Sequence, residues 1–545
     1  MAGEERKEVD IKELVAKAKE EGEIGQVFAW RTYGMDEIPI TLREGERLPL
    51  GALVFVEDDD GYPIVYQVAA PHYYRPGFSH EKYLIGHGGL ERDETETYDC
   101  VGILVGLFKS ARGLPETPRY PVPPLSKVYR CPPELVEIVT RPGEKPMVKL
   151  GVEPVTGREV YIALRPLIRQ GLIISGAQGT GKTTALLALI CRSLEAYNKL
   201  RFLVLDWEGE FRPLEKLRER GFRVYVIPWD RFISGAMGED PTIALMLMAG
   251  EDPRIRLGGE EPAYVQVIRA ALVLCAKEEK YPTKTALKKL IGEVTMDERG
   301  RLKSMPGKAA FGRKPETIQT ALDIVESSSI LPDEKPGDVW GKKRLVSLIE
   351  SNNVVLVDFS VTERRDIPVS FELQKRVGIF LAKCVWEEAT SRRDFGCIIV
   401  SDEAHRICPE RGYGIIDEIW LNLAAQGGRN GCPLWLVARR LSRVHKSVTT
   451  ELQQNFFCFN VEDVDRRRVE EDMGAAFASL VGALPRGECV VKSAIGFRVP
   501  GQAVHVKFDK EFEPASAKYG LEERFGPLKE TPPGAIKGGV LAKLW

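Results

Sequence analysis

The feature that most constrains this chain is the octapeptide Gly176-Ala177-Gln178-Gly179-Thr180-Gly181-Lys182-Thr183, a match to G-x-x-x-x-G-K-[ST]. An apolar run, Leu172-Ile173-Ile174-Ser175, leads into it, and a helix-forming run, Ala185-Leu186-Leu187-Ala188-Leu189-Ile190, leaves it. Strand, glycine loop and helix in that order form a phosphate cradle. The glycines let backbone N–H groups turn inward, and the helix adds its positive amino end. Lys182 is then expected to neutralise the β and γ phosphates of ATP, Thr183 to ligate Mg2+ through its hydroxyl, and Thr184 to reach the α-phosphate. Gly176, Gln178, Gly179, Thr180 and Gly181 supply the rest of the loop.

A phosphate loop implies an α/β fold with a parallel sheet, and the surrounding residues agree. Four further apolar runs read as buried strands: Phe202 to Leu205, Val354 to Val357, Cys397 to Ser401 and Leu434 to Ala438. Three runs end in aspartate, at Asp206, Asp358 and Asp402. In an open parallel sheet, the carboxyl ends of the strands share the edge where the phosphate loop lies. Of the three, Asp402 alone is followed at once by glutamate, so Asp402 is assigned to Mg2+ and Glu403 to activation of water. Asp358 reads as a capping or sheet-edge residue.

The chain has 545 residues, room for several domains. Residues 1–22 are expected to form a short helix with Ile11, Leu14, Val15 and Ala18 on one face. Short strands follow (Ile24 to Trp30, Ala52 to Glu57, Tyr62 to Ala69, Cys100 to Phe108), which suit a small β-barrel over 23–112. Seven prolines between Leu114 and Pro133 predict a semi-rigid linker over 113–148. The ATPase core is expected over 149–240 and 346–509. A helical insertion over 241–345 interrupts it, with Val265, Ile268, Leu272 and Val273 at helical spacing, and a tail over 510–545 follows.

Composition narrows the partners. With 77 basic against 79 acidic residues the net charge is −2, so any nucleic acid must meet a local basic surface. One candidate is the run carrying Arg299, Arg301, Lys303, Lys308, Arg313 and Lys314; another is Arg439 to Lys446. Neither interleaves aromatic rings, which favours tracking of a duplex backbone over base stacking. No apolar run reaches the roughly 18 residues of a membrane span, and the charged start MAGEERKEVD is unlike a signal peptide, so a cytoplasmic protein without membrane partners is expected. Ten cysteines without a C-x-x-C pair read as reduced core thiols.

The phosphate loop, the segment Asp206-Trp207-Glu208-Gly209-Glu210-Phe211, the strand ending in Asp402-Glu403-Ala404-His405, and Gly428-Arg429-Asn430-Gly431 before the last strand together resemble the HerA family of hexameric DNA translocases. The resemblance covers most of the chain apart from its tail. It implies a RecA-like P-loop ATPase core with an N-terminal barrel of the kind shared with rotary ATP synthases. It further implies a hexamer acting on double-stranded DNA and a NurA-type nuclease partner in the processing of broken ends. Asp206 and Glu210 would join the nucleotide site, and Arg429 would be an arginine finger for the neighbouring subunit. Arg440 falls at the arginine of the family's Q-R-P segment. Arg439 and Leu441 stand where that segment has glutamine and proline. A secretion or conjugation motor, and a nucleotide-dependent scaffold with impaired hydrolysis, are the rival readings.

Overall fold

A computed structural model of the chain describes residues 10–28, 33–74, 97–154, 157–257, 261–295, 315–364, 367, 370–410, 418–473 and 475–515. The basic run 299–314 and the tail beyond residue 515 lie outside them. The helix Ile11–Glu21 starts on Asp10, whose side chain accepts the Lys12 N–H, and buries Ile11, Leu14, Val15 and Ala18. Its apolar face packs on the outside of the barrel, against Phe55, Val65, Phe108 and Tyr129.

The barrel comprises β1 (Gly25–Val27), β2 (Glu37–Leu42), β3 (Leu53–Glu57), β4 (Pro63–Tyr74), β5 (Thr97–Leu107) and β6 (Lys127–Arg130). They close in the order β1-β2-β5-β4-β3-β6, with β6 returning to pair with β1. The proline-rich segment 113–148 is therefore more than the linker its composition suggests. It supplies the strand that closes the barrel and the helix Pro133–Thr140. Lys127-Val128-Tyr129-Arg130 has two exposed ends around two buried residues, a pattern too short to stand out beside so many prolines.

The second sheet has eleven strands in the order β11-β12-β10-β13-β14-β9-β15-β16-β17-β7-β8. They are β7 (Met147–Val152), β8 (Glu159–Ala163), β9 (Leu172–Ser175), β10 (Phe202–Asp206), β11 (Val224–Pro228), β12 (Val354–Asp358), β13 (Ile398–Ser401), β14 (Leu434–Ala438), β15 (Asn455–Phe459), β16 (Glu488–Ser493) and β17 (Ala503–Phe508). From β11 to β15 every pairing is parallel; from β15 onward they are antiparallel. The central strands are buried throughout because helices cover both faces. The helix Lys182–Ala196 packs on one face; the helices Pro241–Glu251, Ala263–Lys277 and Phe371–Ser391 belong to the core on the other. Within Ala263–Lys277, Val265, Ile268 and Leu272 are buried, whereas Val273 points outward, 37% exposed.

Two joints tie these parts together. Arg498, between β16 and β17, donates to the carbonyls of Ser110, Ala111, Gly113 and Ile138, so the large sheet grips both the barrel's exit and the helix Pro133–Thr140. The start of the expected tail is packed rather than loose. Phe512 is buried, and Glu511 receives Arg192 Nε at 3.0 Å. All ten cysteines are free thiols, and all but Cys131 are buried. Among the described residues no helix is long and apolar enough to cross a membrane.

Candidate functional site

Parallel register brings the site together. Asp206 lies opposite Asp358, Leu205 opposite Ser401, Ser401 opposite Leu436, and Ala438 opposite Ser175. The carboxyl ends of β9, β10, β12, β13 and β14 thus form one edge. The phosphate loop leaves β9 on this edge, next to β14, and the Asp402-Glu403 pair leaves β13 one strand further away.

The loop is held from outside by contacts that no local motif announces. Gly176 donates its N–H to Ala438 O at 3.3 Å and Ala177 to Asn460 O at 2.7 Å, while Gly487 donates to Thr180 O at 2.9 Å. Gly176 has φ +155°, and a Cβ there would lie 2.6 Å from Phe459 Cβ, so only glycine fits. Gly181 starts the helix at φ +112° and packs on Gly487. Gln178 and Gly179 are exposed at the tip, and Thr180, Thr183 and Thr184 are half-buried. Thr180 Oγ1 and Lys182 Nζ both donate to Ala177 O, at 2.8 and 2.6 Å. Burial, with Arg439 nearby, lowers the Lys182 pKa to about 8 against the pull of Glu403 and Glu210.

The Asp206 to Phe211 segment is a folded turn. Asp206 is wholly buried, and its Oδ1 accepts the N–H groups of Gly209 and Glu210, at 2.8 and 3.0 Å, while Oδ2 accepts that of Phe211 at 3.0 Å. Both of its oxygens thus accept backbone N–H groups and shape the turn. Burial raises its pKa, Asp358 adds to the rise, and the three N–H groups oppose it. The turn delivers Glu210, whose Oε2 accepts the Thr183 hydroxyl at 2.7 Å. Ala515 in turn donates its N–H to Glu210 O at 3.1 Å, so the chain's late segment reaches this turn. Asp358 caps its own turn by accepting the Ser360 N–H and hydroxyl, and it pairs with Arg212 at 2.6 Å.

Asp402 is buried, with Oδ1 accepting the Trp207 N–H at 3.2 Å. Burial raises its pKa well above the ordinary carboxylate value, reinforced by Asp206, Glu403 and Glu210. Among the described residues no three acidic, histidine or cysteine side chains are grouped so as to hold a metal ion. Glu403 is buried in the left-handed region at φ +53°, an uncommon conformation for a residue with a side chain. Arg439 forms an ion pair with its Oε1, and His405 Nδ1 lies 3.2 Å from its Oε2.

Arg440 is not brought to this pocket, and Arg429, expected to serve a neighbouring subunit, lies away from it. Arg440 pairs with Glu462 instead. Arg429 is exposed in the loop before β14, at the amino edge of the sheet. A Cβ on its neighbour Gly428 would sit 1.7 Å from Arg169 O, and Gly431 O accepts the Cys397 N–H, both ahead of their strands. One strand length, about 16 Å, separates that edge from the phosphate loop. Asn460, Gly487 and the Arg439–Glu403 pair are the members that motif reading missed. Their proximity depends on strands far apart in sequence.

Residues 149–368 match the family model described as helicase HerA, central domain. Among solved structures, VirB4 of Thermoanaerobacter pseudethanolicus is similar at 14% identity and TM-score 0.48, over 68% of this chain and 98% of that one. The genome packaging NTPase B204 of Sulfolobus turreted icosahedral virus 2, in complex with ATP-gammaS, is 10% identical at TM-score 0.28, over 62% of this chain and 95% of that one. The cytoplasmic domain of the type VII secretion ATPase EccC of Thermomonospora curvata is 13% identical at TM-score 0.28, over 68% and 30%. No curated protein matches. Residues 149–368, which carry the glycine loop and the strand ends at Asp206 and Asp358, are thus similar to the central domain of helicase HerA.

Proposed function

We propose that the chain is an ATPase that hydrolyses ATP between copies of itself in a ring of six and moves double-stranded DNA, in end processing with a NurA-type nuclease. The observation that carries the ATPase reading is the convergence of Lys182, Thr183, Glu210, Asp402 and Glu403 on one sheet edge around the phosphate loop. Lys182 faces the β and γ phosphates. Mg2+, held by Thr183, Glu210 and Asp402 with water between, would neutralise phosphate charge. Glu403 orients the attacking water and takes its proton as the water oxygen bonds to the γ-phosphorus; the bond to the bridging oxygen breaks, and ADP leaves with that electron pair. Arg429, exposed on the opposite edge, would serve another copy's pocket in such a ring. The HerA helicase match supports DNA as the cargo.

ATP turnover with and without duplex DNA tests the proposal. Duplex DNA should stimulate the native protein several-fold. Lys182→Ala should lose nucleotide binding, and Glu403→Gln should bind ATP without turning it over. Nucleotide binding without turnover in the native protein would favour a scaffold, and turnover indifferent to DNA would favour a motor for another cargo.

A further inference from the structure

The contact between Glu403 and Arg439 deepens the ATPase reading, on which it rests. Three observations single it out. First, Glu403 is held in a strained left-handed conformation with its carboxylate 7% exposed, so its position is imposed by its surroundings. Second, the carboxylate is unevenly satisfied. Oε1 is paired with Arg439, whereas Oε2 has no hydrogen bond, with His405 only nearby. Third, Arg439 follows directly on β14, the strand between the phosphate-loop strand and the Asp402 strand. From there its charge reaches Lys182 as well as Glu403. Its side chain is 41% exposed, free enough to turn.

We propose that Arg439 is a γ-phosphate-operated latch on Glu403: it clamps the carboxylate until a triphosphate arrives, then swings to the γ-phosphate and releases Glu403 to the attacking water. A guanidinium can hold either a carboxylate or a phosphate with the same planar fork, and the γ-phosphate carries more charge than one carboxylate. ADP offers no group at that position, so the latch stays shut. The pocket thereby keeps its base occupied except when hydrolysis can follow. A glutamine at position 439, uncharged, could sense a phosphate but would hold a carboxylate far less firmly.

The latch makes a prediction that an ordinary phosphate contact does not. Binding of a triphosphate must break the ion pair, so removing Glu403's charge should strengthen it. Affinities for ATPγS and ADP are measured by calorimetry on the full chain with Mg2+, for the native protein, Glu403→Gln, Arg439→Gln and the double variant. Glu403→Gln should bind ATPγS about tenfold more tightly, equivalent to about 1.4 kcal/mol, with ADP affinity unchanged. Arg439→Gln should weaken ATPγS and leave ADP alone. Adding Glu403→Gln to Arg439→Gln should then bring no tightening. Retained ADP affinity in every variant shows that the pocket still folds. Equal tightening for ADP and ATPγS, or tightening that persists without Arg439, would overturn the latch while leaving the ATPase reading intact. If Lys182→Ala binds both nucleotides like the native protein, the pocket reading itself falls.

Discussion

Arg498 offers a quantitative test of how the barrel is fastened to the ATPase sheet. The residue is 6% exposed, its guanidinium lies 5.7 Å over the Phe108 ring, and no carboxylate pairs with it among the described residues. Nε donates to Gly113 O at 3.0 Å, Nη1 to Ala111 O at 2.6 Å and Ile138 O at 3.0 Å, and Nη2 to Ser110 O at 3.0 Å and again to Gly113 O. All five N–H groups of the side chain are therefore used. Hydrogen bonds to a charged group are worth about 1.5–3 kcal/mol each, so five give a gross gain of about 7–15 kcal/mol. Burying a cation without a counter-ion costs several kcal/mol against that sum, which is also why burial lowers the Arg498 pKa. Arg498→Met keeps the apolar volume but leaves four carbonyls without donors. A net loss of about 3–5 kcal/mol of local stability is expected, because each acceptor left unsatisfied costs about 1–3 kcal/mol and relief of the cation's burial offsets part of that sum. Arg498→Lys, with three N–H groups instead of five, should lose about half as much. Because a chain of several domains does not unfold in one step, the readout is native-state hydrogen exchange of residues 108–113 and 133–140. Protection in these segments that changes by less than about 0.5 kcal/mol in Arg498→Met, the scale of an ordinary surface substitution, would refute the reasoning.

Other consequences can be checked separately. With a pKa lowered to about 8, Lys182 is about half deprotonated at pH 8, and phosphates require its charged form, so nucleotide binding there should take up about half a proton. The uptake should fade toward pH 6.5; calorimetry in buffers of different ionisation enthalpy measures it, and Lys182→Arg should abolish it. Asp206→Asn turns one acceptor into a donor facing a backbone N–H, which should loosen the turn by about 2 kcal/mol. The advantage of Mg2+-ATPγS over the metal-free nucleotide should then shrink about tenfold or more, and an unchanged ratio would remove the turn's role in presenting Glu210. Gly176→Ala forces a Cβ to within 2.6 Å of Phe459 Cβ. Nucleotide affinity should fall at least tenfold, because main-chain displacement there moves the cradle itself.

The five central strands were legible because burial on both faces makes them continuous apolar runs, such as Phe202–Asp206 and Val354–Asp358. The antiparallel extension was not. Its pairings join residues as distant as Lys507 and Val152, and its strands mix polar and apolar positions as half-covered strands do. At the site, motif and strand ends alone mark Lys182, Thr183, Asp402 and Glu403 as candidates. They do not mark the partners that hold them. Asn460 meets the phosphate loop only because β15 lies beside β9, and Arg439 meets Glu403 only because β14 lies beside β13. Asp206 belongs to a legible motif, but that its oxygens serve three N–H groups is a matter of geometry within one turn.

The order in which the barrel closes bears on how this protein can be dissected. Cutting the chain at residue 112, where composition changes, would strip β1 and β3 of their shared neighbour and leave two raw hydrogen-bonding margins, an invitation to aggregate. An isolated N-terminal fragment must run through Arg130, and a motor fragment begun at residue 113 would carry an orphaned strand belonging to the other piece.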